Sequence, residues 1–215
     1  MKFALIITAG GTSSRYGKTN KLLEKINGKT VIEYTISRFL NFDEIEEIIV
    51  PTNITIIDEL KNIISDKRIK IINGGNTRQE SVYNALRQVH SDYVLIHDGA
   101  RPLIKEDTIK EVFETVQKKD AVSVMTKTTD TIKEVDENGR IIKTIDRSKL
   151  YNTQTPQAFK TELIKNAHEK LKGQTYTDDC SMLEKLNIPV YMVNGDYTNI
   201  KITTKSDLDF AKIYI

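Results

Sequence analysis

The run Thr8-Ala9-Gly10-Gly11-Thr12-Ser13-Ser14-Arg15-Tyr16-Gly17-Lys18-Thr19-Asn20-Lys21 sets adjacent glycines, small hydroxyls and three spaced cations directly behind a short apolar segment, Phe3 to Ile7. That combination suits a polyphosphate. Glycine lets the backbone approach the oxygens, while exposed N–H groups and Arg/Lys side chains neutralise them. Thr12 to Thr19 also nearly matches the P-loop pattern GxxxxGK[ST], ending in Gly17-Lys18-Thr19, but Thr stands where the first glycine belongs. A P-loop starts its helix at the GK[ST], whereas this chain reaches Asn27-Gly28 within ten residues. No apolar strand ends in an Asp for magnesium except the one leading to His97-Asp98.

Three further polar clusters could do chemistry. Gly74-Gly75-Asn76-Thr77-Arg78-Gln79-Glu80-Ser81 joins a strand to a helix start and can hydrogen-bond a base or ribose through its backbone; its plain alternative is a turn with Thr77 as N-cap. His97-Asp98-Gly99-Ala100-Arg101-Pro102 offers a carboxylate for a hydroxyl or metal-bound phosphate and a guanidinium for an anion, against the plain reading of an Asp98–Arg101 turn pair. His97 itself reads first as a structural histidine. The last cluster is discontinuous: Arg147, Gln154-Thr155-Pro156-Gln157, Thr177-Asp178-Asp179 and Asn199-Ile200-Lys201-Ile202-Thr203. Thr177 or Asp178 alone is an N-cap, with the following acids favoured by the helix dipole. Lys201, in an otherwise β-branched segment, needs an anionic partner or a solvent-facing side.

The elements that must position these clusters alternate. Strands are expected at Phe3–Ile7, Glu47–Pro51, Ile69–Ile72, Tyr93–Ile96, Ala121–Met125 and Val190–Val193. Helices are expected at Thr30–Leu40, Thr55–Ile64, Arg78–Val89, Glu106–Val116, Thr161–Leu171, Asp178–Leu186 and from Ser206 onward. This rhythm predicts an α/β, Rossmann-like fold: a mostly parallel sheet with helices on both faces, ligands sitting beyond the carboxyl ends of the strands. One segment breaks it. Thr131–Val135 and Arg140–Ile145 flank Asp136-Glu137-Asn138-Gly139, a hairpin that projects either as a solvated excursion or as an arm around a second subunit. The whole chain, 1–215, reads as one domain with this β-arm, about 130–148, inserted in it.

The chain's 215 residues can bury a real core, and 39% hydrophobic with 29% charged residues is the composition of a soluble globular protein. Basic and acidic residues nearly balance, 32 against 30, so no cationic block tracks nucleic acid and any positive site is local. Cys180 is the single cysteine, which excludes an internal disulfide, and no Cys/His cluster has zinc spacing. The apolar run after Met1-Lys2 is too short for a signal peptide and lacks a cleavage site, and no segment approaches ~20 apolar residues. A cytoplasmic protein without membrane contact is expected.

The clusters in this order resemble the cytidylyltransferases that make 4-diphosphocytidyl-2-C-methyl-erythritol in isoprenoid synthesis. The likeness runs from Ala9 to Asp207: Ala9-Gly10-Gly11 with Arg15 and Lys21, Gly74-Gly75 through Arg78 to Ser81, His97 to Pro102, Asp130-Thr131, Gln154 to Gln157, Thr177-Asp178-Asp179 with Ser181 and Glu184, and Asn199 to Thr204. It implies CTP-dependent transfer of CMP to methylerythritol phosphate with release of pyrophosphate. By the resemblance, Arg15, Lys21, Arg147 and Lys201 are catalytic, with Arg15 and Lys21 gripping the triphosphate. Ala9, Gly10, Gly11, Gly75, Arg78, Ser81, Asp98 and Ala100 hold the nucleotide. Asp98, Arg101, Thr131, Arg147, Thr155, Thr177 and Lys201 meet the acceptor, Thr131 and Arg147 reaching it in a neighbouring subunit. The resemblance therefore implies a homodimer through the arm, and magnesium carried by CTP oxygens with no all-protein metal site.

The chain departs from the family pattern at three loop positions. Ser13 replaces a second glycine, Asn20 a proline before Lys21, and Gly99 a more usual alanine. Ser13 needs a negative φ or mild strain, and Asn20 is expected to leave the approach to Lys21 less rigid. The rival readings are a ribitol-phosphate cytidylyltransferase of teichoic-acid synthesis, a nucleotide-binding regulator without catalysis, and, more distantly, a P-loop kinase. The regulator predicts loss of Arg15, Lys21 or Asp98, and all three are present.

Overall fold

In the computed structural model, which describes residues 1–10, 16 and 19–215, β1 (Phe3–Thr8) is the axis of the molecule. Its side chains alternate as a strand requires. Phe3, Leu5 and Ile7 enter one apolar cluster, and Ala4 and Ile6 the other. Gly11 to Arg15, Gly17 and Lys18 lie outside the described residues, and with them the near-match to the P-loop pattern.

The chain continues through a two-residue hairpin, β2 (Lys25–Ile26) and β3 (Lys29–Thr30), whose turn residues Asn27 and Gly28 have φ of 47° and 88°. Helix α1 (Val31–Leu40) starts at a capping box: the Glu33 N–H donates to Thr30 Oγ1 at 3.3 Å, and the Thr30 N–H to Glu33 Oε2 at 2.7 Å. Then follow β4 (Ile45–Thr52), a 3₁₀ turn at Ile54–Ile56, α2 (Ile57–Ile63), β5 (Ile69–Asn73), α3 (Arg78–Leu86), β6 (Tyr93–Asp98), α4 (Glu106–Lys119) and β7 (Ala121–Lys127). After the arm strands β8 (Lys133–Val135) and β9 (Ile141–Thr144) come β10 (Tyr151–Lys160), α5 (Thr161–Lys170), α6 (Asp179–Lys185), β11 (Tyr191–Asn194) and α7 (Lys205–Tyr214).

Seven strands form one sheet in the order β11-β7-β10-β6-β1-β4-β5. Only β10 runs against the rest, antiparallel to both β6 and β7, so the expected mostly parallel sheet is what the chain builds. Helices α1, α2, α4 and α7 pack on one face, and α3, α5 and α6 on the other. Cys180 is buried among the latter group, as a small apolar residue on α6. No helix among the described residues is long and apolar enough to cross a membrane.

One difference from the sequence expectations bears on the site, along with one irregular segment. Gln154 to Gln157, expected in a loop after the arm, lie in the middle of β10. Polar side chains and Pro156, which has no N–H for the ladder, disguise a central strand; pairing with β7 is irregular between Thr153 and Gln157, where the proline is accommodated. Asn199 to Thr203 form no regular element and are tied down by the Ile202 N–H to the Ala100 carbonyl, 2.9 Å.

The arm strands pair only with each other, and Val135, Ile141 and Ile142 are more than half exposed on them. At the other end of the sheet centre, β6 leaves through Gly99, whose N–H donates to the Thr8 carbonyl at 3.0 Å. A β-carbon there would lie 2.9 Å from that carbonyl oxygen and 2.8 Å from Ile32 Cδ1. Gly99→Ala is therefore expected to destabilise the protein by ~1–3 kcal/mol in urea denaturation; unchanged stability would contradict this packing.

Candidate active site

Parallel pairing of β1 with β6 runs in register from Phe3↔Tyr93 to Thr8↔Asp98, which sets the Thr8 hydroxyl beside the Asp98 carboxylate. Thr8 Oγ1 donates to Asp98 Oδ1 at 3.3 Å. Three cations converge on this acid from three elements. Lys201 Nζ, from the 199–203 segment, is 2.8 Å from Oδ2; Arg101 Nε, from the turn after β6, is 3.6 Å from Oδ2; Arg78 Nε, from the start of α3, is 3.7 Å from Oδ1. Burial alone would raise the Asp98 carboxyl, but Lys201, Arg78 and Arg101 outweigh it and hold the group well below the usual carboxylate range. Asp98 is an anion at neutral pH and, held this far down, a weak proton acceptor. Lys201, 40% exposed against 30% for Arg78 and 11% for Arg101, is the most open of the three cations. It has both features its sequence position demanded, an anionic partner and an open side.

Arg101 is more committed than its phosphate-binding expectation suggests. Its backbone N–H closes the turn onto the Asp98 carbonyl, and Nη1 donates to the Asn199 carbonyl at 2.6 Å. Thr155, opposite Asp98 on β10, is also spoken for: its Oγ1 accepts the Asp98 N–H at 3.0 Å and lies 3.1 Å from His97 Nδ1. His97 Nε2 lies 3.1 Å from the Arg101 carbonyl, which can only accept. The imidazole is then the neutral Nε2–H form, with Nδ1 accepting from the Thr155 hydroxyl. His97 is the structural residue expected, clamping Thr155 and the 98–101 turn.

The loop expected to hold the nucleotide is equally built. Ala9 pairs with Thr52 across β1 and β4, and the Thr52 hydroxyl donates to the Ala9 carbonyl at 3.1 Å. The Thr77 side chain caps α3, as the plain reading held. Ser81 Oγ, one turn in, accepts the Gly75 N–H at 2.9 Å and donates to the Thr77 carbonyl at 2.8 Å. A β-carbon on Gly75 would come within 2.3 Å of Glu80 Cβ, so the loop lies against the helix only because Gly75 has none. Gly10 faces the same Ser81 hydroxyl, 3.3 Å from where its β-carbon would be, and Ala100 is buried in the turn after β6.

Among the cations of the opening loop, Arg15 lies outside the described residues, together with Gly11. Lys21 is half-buried. At Asn20, the side-chain Oδ1 accepts the Leu22 N–H and the carbonyl the Leu23 N–H, both at 3.0 Å.

The remaining expected residues are exposed. Thr131 and Arg147 are exposed at the base of the arm, where Arg147 Nη1 donates to the Thr129 carbonyl. Thr177 is exposed before α6, whose cap is Asp178 accepting from the Ser181 N–H. Among the described residues no group of three His, Cys, Asp or Glu side chains could hold a metal ion.

Sequence reasoning missed one charged partner. Asp179, read as a helix-dipole acid, is buried and hydrogen-bonded at 2.8 Å to Arg78, 101 positions earlier. A partner that distant leaves no local signal; only a second acid next to a capping acid hinted at it.

Burial pushes the His97 imidazole down from 6.5 to about 4, against the pull of the Arg101 carbonyl and Asp98. The unfolded chain therefore binds one more proton between those values. Stability is full above about 6.5 and falls as pH drops toward 4, by up to ~1.4 kcal/mol per pH unit. Replacing His97 with Asn should remove that one-proton slope in urea denaturation from pH 4 to 6.5; an unchanged slope would show that His97 is not the group responsible.

The sequence profile of the family described as IspD, 2-C-methyl-D-erythritol 4-phosphate cytidylyltransferase, matches residues 3–215. The enzyme of that name from Dictyoglomus thermophilum is 42% identical over 217 residues, covering 96% of this chain and 94% of its own. The one from Clostridium tetani is 40% identical, covering 100% and 90%. The crystal structure of 4-diphosphocytidyl-2C-methyl-D-erythritol synthase from Anaerococcus prevotii superposes with a TM-score of 0.88 at 33% identity, covering 99% of this chain and 95% of that one. With a glycine loop, a fixed anion and converging cations at the carboxyl edge of its sheet, this chain belongs to the 2-C-methyl-D-erythritol 4-phosphate cytidylyltransferase family of CTP-dependent nucleotidyltransferases.

Proposed function

We propose that this enzyme transfers CMP from CTP to 2-C-methyl-D-erythritol 4-phosphate. An oxygen of the acceptor phosphate bonds to the α-phosphorus, the bond from that phosphorus to the β-phosphate oxygen breaks, and pyrophosphate leaves with the electron pair. The observation that carries this reading is the Asp98 cluster: a permanently charged acid gathering Lys201, Arg78 and Arg101 at the sheet edge, beside the Gly75 loop.

The chemistry asks for this and little more. A phosphate monoester has its second pKa near ~6 and is already a dianion at neutral pH, so no general base is needed. Two polyanions must be brought together and the charge around one phosphorus stabilised, which positioning and electrostatics supply. Lys201 and Lys21 take the phosphates, the role that the resemblance also gives Arg15; the loop from Gly75 to Ser81 and the backbone at Ala9 and Gly10 hold the nucleotide. Asp98 fixes Lys201 at the junction with the acceptor, and Arg101, Thr155 and Thr177 shape that pocket. A divalent cation suits this site as a companion of the triphosphate: Asp98, the acid at the junction, is already committed to Thr8 and Lys201. Bound there, the metal would neutralise phosphate charge.

We read the chain as one catalytic domain whose arm, about 130–148, embraces a second subunit in the cytoplasm. The exposed Val135, Ile141 and Ile142 support this, as do Thr131 and Arg147, both exposed at the base of the arm. Deleting Glu134 to Ile141 should give monomers with poor acceptor use; a dimer of wild-type size on sedimentation would contradict the arm's role.

The direct test offers each nucleoside triphosphate with methylerythritol phosphate or ribitol 5-phosphate and measures pyrophosphate. CTP with methylerythritol phosphate should be preferred, and preference for ribitol phosphate would move the enzyme to teichoic-acid synthesis. Lys21→Ala should lower the rate ~10²–10³-fold with the fold intact; undiminished turnover would remove Lys21 from the site.

A further inference from the structure

Asp179 and Asp98 are the buried acids among the described residues, and Arg78 stands between them. The guanidinium is shared unequally. Nη1 makes a 2.8 Å hydrogen bond to Asp179 Oδ2, while Nε keeps 3.7 Å from Asp98 Oδ1, an ion pair without a hydrogen bond. Asp179 is in turn held from two further elements. On α5, His168 Nε2 lies 3.3 Å from its Oδ1, and since a carboxylate only accepts, that nitrogen carries the proton. On β10, Gln157 Oε1 accepts the Asp179 N–H at 3.2 Å, and Gln157 Nε2 donates to Asp178 Oδ2 at 2.6 Å. The His168 ring is fixed by stacking on Tyr83, centroids 5.9 Å apart and planes 13° from parallel.

This chain of contacts decides where Arg78 points. A guanidinium has donors enough to grip a carboxylate with two nitrogens. If Asp179 lost its charge, the other buried acid within reach would be Asp98. Arg78 would close onto it and compete with Lys201, which now holds Asp98 at 2.8 Å. Lys201 is the most exposed of the three cations and is held by Asp98, so its position depends on Asp98 being left to it.

We propose that Asp179 is a positioning residue for nucleotidyl transfer, anchoring Arg78 from behind so that Asp98 stays with Lys201 and Lys201 keeps its place beside it. The inference rests on the function proposed above. Burial opposes the charge on Asp179, yet Arg78 and His168 hold its carboxyl below the ordinary value, so the anchor stays ionised at neutral pH.

The test measures pyrophosphate release from CTP and methylerythritol phosphate, per CTP-binding site, for wild type, Asp179→Asn, Arg78→Gln and the double variant. Asp179→Asn should lower kcat ~10- to 100-fold while KM for CTP moves less than ~3-fold. The double variant should lose no more than Arg78→Gln alone, because the two act as one unit. His168→Gln keeps a nitrogen donor toward Asp179 and should retain kcat within ~2-fold; His168→Leu, which has none, should lose ~5-fold or more. Unchanged kcat in folded Asp179→Asn, or losses that multiply in the double variant, would overturn the inference. If Asp179→Asn does not fold, equal kcat in His168→Gln and His168→Leu overturns it. A wild-type protein that releases no pyrophosphate defeats the function reading itself, and the inference with it.

Discussion

A carboxylate buried at the end of a central strand stays charged only in the company of cations, and Asp98 obliges the rest of the structure to provide them. The β1–β6 register brings Thr8 to it, the tight turn through Gly99 brings Arg101, the helix start at Thr77 brings Arg78, and the segment strapped to Ala100 brings Lys201. These four pieces come from four regions of the chain. Any account in which one is moved must say what then compensates Asp98, because breaking up a buried charge set leaves an unpaired charge behind.

The same arrangement explains what kind of chemistry the site suits. Three cations face Asp98, and one of them is shared with Asp179, so the cluster is cationic and welcomes anions. Among the described residues it holds no strong proton acceptor. Asp98 is kept ionised by its neighbours, and both nitrogens of His97 are engaged inside the protein. A reaction whose nucleophile arrives already ionised fits such a site, and attack by a phosphate oxygen is one.

Much of this was legible in the sequence, for physical reasons that differ by residue. Strands β1 and β6 are continuous apolar runs because helices cover them on both sides, and the polar residues at their ends are therefore conspicuous. The arm was legible from its turn: Asp136 Oδ1 accepts the Asn138 and Arg140 N–H groups, and Gly139 takes a φ of 80°. Strand β10 was not, since its buried middle is made of Gln154, Thr155, Pro156 and Gln157, polar groups satisfied by Asp196, His97 and Asp178 from distant parts of the chain. Asp179 escaped for the same reason. What makes it special is a guanidinium that only the folded sheet brings near.

The claim at the centre of this account is that the cluster directs attack to the α-phosphorus of CTP. Tracing label settles that most directly. With methylerythritol phosphate as acceptor, CTP labelled at the α-phosphorus should pass its label to the sugar product, and CTP labelled at the γ-phosphorus should yield labelled pyrophosphate and an unlabelled product. Label from the γ-position appearing in the sugar would mean phosphoryl transfer, and would contradict the function drawn from Asp98 and its cations.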